Sequence, residues 1–243
     1  MRIKLSAKEV ESAFSKLQAS IYFDNYDLIL RGRIATYKKR LNANIRSFIE
    51  ECQATNPFNR FIDKMDFSIL PKKVEPKTTG FRSNYYTNTA PIIGNEISRP
   101  NIHCNFPVEL HLIATIWLMR YGTYIDKMVP KTSYGNRLII DKNTGNIEGR
   151  SLFKPYFKQF QNWWSLAIKA TKTALEDKQS VTILNFDLKS FYHEVKFDFD
   201  RLEKALIQKF PKIQNDVIHI ALKKIHISYR ELLSTRNIKY CYS

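Results

Sequence analysis

The sequence predicts an α+β fold, and three observations carry that expectation. The first 65 or so residues repeat apolar side chains at helical spacing. Residues 66–106 are broken up by Pro, Gly, Asn and Thr. A β-branched run, VTILNFDL, then precedes further helical pattern. Helices, a mixed region, then a strand with helices is an α+β order. It divides the chain into a helical N-terminal region (1–66), a polar stretch of loops and short strands (67–106), a mixed region (107–180) and a final strand-plus-helix region (181–243).

In KEVESAFSKLQASIYF the residues Val10, Ala13, Phe14 and Leu17 keep a three-to-four spacing, the mark of one buried helix face. A second helix is expected through Tyr37 to Cys52, with Leu41, Ile45, Phe48 and Ile49 on one side. PKKVEPKTTG, SNYYTNTAP and GNEISRPN punctuate the next stretch as loops do. A wholly unstructured segment that long is unusual in a compact domain, so some of it is expected to pair as strands or bind something. Pro107 suits a first helical turn, where its missing N–H would have no partner. It opens a helix with Leu110, Ile113, Ala114, Trp117 and Leu118 along one face. Leu138-Ile139-Ile140 reads as a short strand closed by turn residues 141–145. A helix is expected from Phe153 to Leu175, with Phe153, Tyr156, Phe157, Phe160, Trp164, Ala167 and Ile168 in helical register. VTILNFDL has the texture of a buried strand. Asp200-Arg-Leu-Glu203 resembles a capping box, and a last helix is expected over residues 213–225.

Composition narrows the function. At 243 residues the chain can bury a substantial core. With 44% hydrophobic and 26% charged residues it is not a disordered tail. Thirty-nine Lys and Arg against 23 Asp and Glu leave a net charge of +16. That excess favours a polyanionic partner, because each neutralised phosphate releases counterions. Ribosomal, chromatin and membrane-surface proteins share the bias. Sixteen Phe, 13 Tyr and 3 Trp suit stacking on single-stranded nucleic acid, although core packing is the commoner use of any one ring. Cys52, Cys104 and Cys241 form no CxxC pair, which argues against a zinc ribbon or a disulfide framework. No apolar h-region follows the basic start, and no apolar stretch is long enough to span a bilayer. A cytoplasmic location without a membrane partner is the expectation.

The chemistry concentrates in VTILNFDLKSFYHEV, residues 181–195. An apolar strand running into Asp187 places a carboxylate where it needs a metal or a base as partner. Phe191 and Tyr192 follow closely. Enzymes that transfer nucleotidyl groups use two divalent ions held by carboxylates, and oxygen ligands suit Mg²⁺. The plainer readings are a turn acid for Asp187, a strand arginine for Arg137 and core packing for Tyr192. Asp198 and Asp200 fit helix capping better than metal binding, and His193 and Glu194 fit a helix or strand surface. His103, His111, His219 and His226 show no HxxxH pair and read as structural.

The segment resembles the first palm motif of reverse transcriptases, an apolar strand followed by Asp and two aromatics. The resemblance implies that Asp187 binds catalytic Mg²⁺. It also implies that Tyr192, beside Phe191, packs under the sugar of the incoming deoxynucleotide and excludes a 2′-hydroxyl, selection by clash. Upstream, SYGNRLIID is similar to the fingers element whose basic residue holds the triphosphate. This implies a phosphate-binding role for Arg137, whose fork suits phosphate oxygens, with Lys131 as a candidate helper. The order YGNRL, then FKPYF with a Trp-bearing helix, then FDLKSFYHEV resembles the bacterial antiviral-defence branch, the abortive-infection and unknown-group relatives. The expected architecture is therefore a helical N-terminal region, fingers over 107–180, and the start of a right-hand polymerase palm from 181. The expected partners are an RNA template or RNA/DNA duplex and deoxynucleotides.

The family's later palm motif, an aromatic-x-Asp-Asp turn, is missing: no Asp-Asp dipeptide occurs. One carboxylate leaves a two-metal site under-liganded, and losing cooperating groups is ruinous rather than incremental. The chain alone is expected to be inactive, as the N-terminal portion of a longer enzyme or a remnant. The alternatives are a non-enzymatic basic nucleic-acid binder, or a subunit whose palm is completed by another chain.

Overall fold

A computed structural model describes residues 4–22, 28–76, 95–184, 186 and 197–235. The fold is α+β, rich in helix with a small two-stranded sheet. Helix α1 (Ala7–Tyr22) buries Val10, Ala13, Phe14 and Leu17, the face its spacing predicts. The helix expected over residues 37–52 is shorter, and a separate helix precedes it. Helix α2 (Leu28–Lys38) buries Leu30, Ile34 and Tyr37, and α3 (Leu41–Glu51) buries Ile45 and Phe48. The break lies at Lys39-Arg40, where the Asn44 side-chain amide donates to the Tyr37 carbonyl at 2.9 Å and satisfies the end of α2. A short turn of helix, α4 (Asn59–Ile62), adds Phe61 and Ile62 to the core.

The polar stretch contains more regular structure than its punctuation suggests. Strands β1 (Asp66–Pro76) and β2 (Asn95–Asn105) pair antiparallel over eleven residues each. Pro71 stands opposite Pro100, and the register shifts between Pro71 and Lys73 and again before Val74. Proline removes a ladder donor, so it survives at edges and irregularities. A two-stranded ribbon is all edge, which is why prolines there do not forbid it.

Helix α5 (Val108–Trp117) is the centre of the molecule. Val108, Leu110, Leu112, Ile113, Thr115, Ile116 and Trp117 are all buried, so it is enclosed on most sides rather than along one stripe. It packs against α1 and α2 and against the last helix, α9 (Val217–Thr235). The chain continues through a π turn, Leu118–Gly122, into α6 (Thr123–Met128). Helix α8 (Phe199–Ile207) and a 3-10 turn, Ile213–Asn215, precede α9 and supply Leu206 and Ile213 to the same core. Burying each large aliphatic or aromatic side chain is worth about 1.5–3 kcal/mol.

Two expectations change. Helix α7 (Tyr156–Glu176) starts three residues later than expected, with Phe153 bridging Leu138 instead, and no residue in it is buried. The run VTIL is neither a strand nor buried: Ile183 and Leu184 are 71% and 72% exposed, and Phe186 is 82% exposed. A strand exists only through ladder bonds to a neighbour, and no neighbour pairs with 181–184 among the described residues. The capping expectation moves by two residues. The Asp198 carboxylate accepts from the Arg201 N–H at 2.9 Å and caps α8, while Asp200 lies in the first turn and pairs with Lys223 at 2.6 Å.

Candidate functional site

The motif-bearing residues Asp187, Phe191 and Tyr192, with His193 and Glu194, lie outside the described residues. Upstream of them in sequence, the described chain runs through the loop and arm after α6, then α7, then residues 181–184 and Phe186.

The arm, residues 137–154, folds back on itself. Leu138 bridges Phe153 and Ile140 bridges Ile147 in antiparallel fashion. The Ile139 N–H donates to the Leu152 carbonyl at 2.9 Å and the Lys154 N–H to the Arg137 carbonyl at 2.8 Å. At its tip the Asp141 carboxylate accepts from the N–H groups of Asn143 and Thr144, at 2.8 and 2.7 Å. These bonds hold the Asp141 carboxyl below the usual carboxylate range. Gly145 completes the turn with φ +72, a conformation glycine adopts without strain.

Arg137 is tied into the base of this arm. Its Nε and Nη2 donate to the two carboxylate oxygens of Asp126 at 2.9 and 3.0 Å. Nη2 also donates to the Asp126 carbonyl, and Nη1 to the carbonyls of Pro130 and Ser133. A guanidinium has five N–H donors, and all five are engaged. The Leu138 N–H donates to the same Asp126 oxygen at 3.0 Å. Burial pushes the Asp126 carboxyl up, but the bonds from Arg137 and Leu138 outweigh it and leave its pKa lowered. Leu138 itself is buried against Gly122, where an added Cβ would stand 3.0 Å from Leu138 Cδ1. The dipeptide Arg137-Leu138 therefore anchors the arm on both sides, by charge and by packing. Lys131 is exposed in the loop between.

Lys16 of α1 makes the second anchor. It is buried to 4% exposure and donates to the Gly149 carbonyl at 2.5 Å. Burial lowers its pKa against the opposing pull of Glu148.

Beyond Pro155, α7 carries Tyr156, Phe157, Phe160, Trp163, Trp164, Ile168 and Leu175, all exposed. Phe160, Trp163 and Trp164 form a contiguous ring cluster, with centroids 5.6 and 6.5 Å apart. The helix leads directly into the exposed 181–184 run and Phe186.

A second cluster of ionisable groups sits inside the core. Arg120, on the π turn, grips Glu9 of α1 through Nε and Nη2 at 2.6 and 2.9 Å, and both oxygens of Asp216 through Nη1 at 2.7 and 2.8 Å. Asp216 also accepts from the Tyr121 hydroxyl at 2.5 Å and from the Ile218 N–H at 3.0 Å, which caps α9. The Trp117 indole N–H donates to His219 Nδ1 at 3.0 Å. Indole nitrogen can only donate, so Nδ1 is the acceptor and the His219 proton is on Nε2, facing Glu203 at 3.1 Å. Burial lowers the His219 pKa, against the pull of Glu203. This network joins α1, α5, α8 and α9 with its polar atoms partnered, so it secures the fold rather than waiting for a substrate. The periodicity of α5 and α9 does not announce it, although an Asp immediately before an apolar helix is a visible capping signal.

Among the described residues no group of three or more His, Cys, Asp and Glu could hold a metal ion. No helix among them is long and apolar enough to cross a membrane. Comparison with protein-family models, with curated proteins and with solved structures gives no match.

Proposed function

We propose that this chain is the fingers and first palm segment of an RNA-directed DNA polymerase of the bacterial antiviral-defence type. The observation that carries the reading is the order of YGNRL, FKPYF with its Trp-bearing helix, and FDLKSFYHEV within one basic chain. In that reading Asp187 supplies one carboxylate to a Mg²⁺ site, and Tyr192 with Phe191 bounds the sugar pocket of a deoxynucleotide. Bound Mg²⁺ would supply Lewis-acid activation for nucleotidyl transfer. No Asp-Asp dipeptide occurs in the sequence, so in this reading the remaining ligands would come from another segment and no reaction step falls to this chain alone. Arg137 serves the arm that the fingers role would need to be rigid. Lys131 is the exposed cation of the same loop and the better candidate for reaching phosphate.

A second reading, a non-enzymatic nucleic-acid binder, is favoured by the full engagement of Arg137 within the fold. The test is primer extension on an RNA template with Mg²⁺, by this chain alone and with a polypeptide carrying the Asp-Asp motif. The expected result is no product alone, product when completed, loss with Asp187→Asn and incorporation of ribonucleotides with Tyr192→Ala. Full activity of Asp187→Asn would sink the polymerase reading. Failure of every completed mixture to extend, with RNA still bound, would favour the binder.

A further inference from the structure

Helix α2 turns Leu30, Ile34 and Tyr37 into the core. Along its open side, Ile29, Gly32, Arg33, Thr36, Lys39 and Arg40 line a groove of about 740 Å³ that reaches the start of α3. No acidic side chain lines it among the described residues. The sequence around it is equally one-sided, since residues 31–46 contain six Lys and Arg and no Asp or Glu. Arg33, Lys39 and Arg40 form no ion pair among the described residues. Arg33 Nη1 donates to the Phe106 carbonyl at 3.3 Å, which steadies the guanidinium without neutralising it. Cations near the end of α2 also favour the helix dipole, but that effect is confined to the last turn and does not reach Arg33.

Gly32 adds an independent observation. A glycine inside a helix weakens it relative to alanine. Nothing among the described residues requires one here, because a Cβ at Gly32 would meet no atom of theirs within 4 Å. Its lack of a side chain leaves the helix backbone accessible from outside, at the floor of the cationic groove.

We propose that this groove binds the sugar–phosphate backbone of a nucleic-acid strand. Arg33, Lys39 and Arg40 neutralise phosphates, and Gly32 lets the strand lie against α2. Arg33 and Arg40 lie seven residues apart across the end of α2, enough to engage different phosphates of one strand. A concave site suits a strand better than a membrane surface, which reaches only convex or flat faces. The inference does not rest on the polymerase reading, because the groove needs no metal.

The experiment measures anisotropy of fluorescein-labelled 20-mer oligo(U), oligo(dT) and a duplex across a salt series. EDTA is present, so failure of metal chemistry and failure of the groove are read separately. The triple variant Arg33→Gln/Lys39→Gln/Arg40→Gln is expected to weaken binding at least tenfold. If its probe is single-stranded, the log–log salt slope should shrink by about 2, at roughly 0.7 per phosphate contact. Lys204→Gln/Lys209→Gln/Lys212→Gln removes the same charge elsewhere and should cost less than threefold. Gly32→Leu is expected to raise the Tm while weakening binding severalfold, a pairing that a merely structural glycine would not give. Equal losses from the two triple variants would overturn the proposal. So would a stabilised Gly32→Leu that binds as wild type, or binding to vesicles with 30% phosphatidylserine but to no oligonucleotide.

Discussion

Replacing Arg137 with Met separates its two candidate roles. The guanidinium and its partner are 16% and 10% exposed, and the pair is bidentate. Without Arg137, the Asp126 carboxylate keeps only the Leu138 N–H from the arm. Removing one partner of a fully buried pair costs about 3–5 kcal/mol; this pair is only partly buried and Asp126 keeps an N–H, so the loss here is smaller, about 2 kcal/mol. The loss should fall on the arm, because the bonds of Arg137 tie its base to Asp126 and to the Pro130 and Ser133 carbonyls of the neighbouring loop. Hydrogen exchange reads such local opening directly. At about 1.4 kcal/mol per tenfold, the Ile139 and Lys154 amides should exchange roughly 30-fold faster. The global melting transition should move little. Arg137→Lys should recover little protection, since an ammonium cannot span both oxygens and three carbonyls. Unchanged protection across 137–154, together with lost nucleotide binding, would refute the structural assignment and return Arg137 to phosphate.

Two further predictions concern the core network. Asp216→Ala removes an acceptor with 0% exposure that serves Arg120, Tyr121 and the Ile218 N–H, so urea denaturation should show a loss of about 3–5 kcal/mol. Asp216→Asn keeps a capping side chain and should lose less; a loss below about 1 kcal/mol in the Ala variant would contradict the network's role. For His219 the folded pKa is lowered by burial, so on acidification the unfolded chain takes up its proton first. Its effect is absent above the ordinary value near 6.5, and stability falls as pH drops from there toward the folded value. The Tm of wild type should therefore drop more steeply between pH 7.5 and 5.5 than that of His219→Gln. Equal slopes would mean that His219 is not held neutral.

What the sequence makes legible follows from whether local pattern or distant contact decides. Val10, Ala13, Phe14 and Leu17 recur at helical spacing, and α1 buries them. The α2–α3 break is not periodic information: it depends on Asn44 reaching back to the Tyr37 carbonyl. The ribbon β1–β2 is obscured by prolines that a two-stranded edge tolerates. Arg120 with Glu9 and Asp216, and Lys16 with Gly149, join residues about a hundred positions apart, so no window along the chain contains them. Arg137 stands out in YGNRL, yet its partner Asp126 lies eleven residues upstream and turns a phosphate-type signature into an internal clamp. VTIL has the composition of a buried strand, but composition supplies only half of a strand; the other half is a neighbour with free donors and acceptors.

That missing half bears on function. The helices around α5 cover their own apolar faces, whereas α7 and the 181–184 run leave rings and aliphatic side chains in water. In sequence, the unburied surface comes just before the segment that carries the polymerase resemblance. Each large side chain there forgoes part of the about 1.5–3 kcal/mol that full burial gives, so a partner covering this face would gain it on binding. Under the polymerase reading the cover also brings the companion carboxylates of Asp187. Assembly of the metal site and burial of the α7 face would then be one event. A completing polypeptide should stabilise this chain by mass action, even in EDTA and without nucleotide.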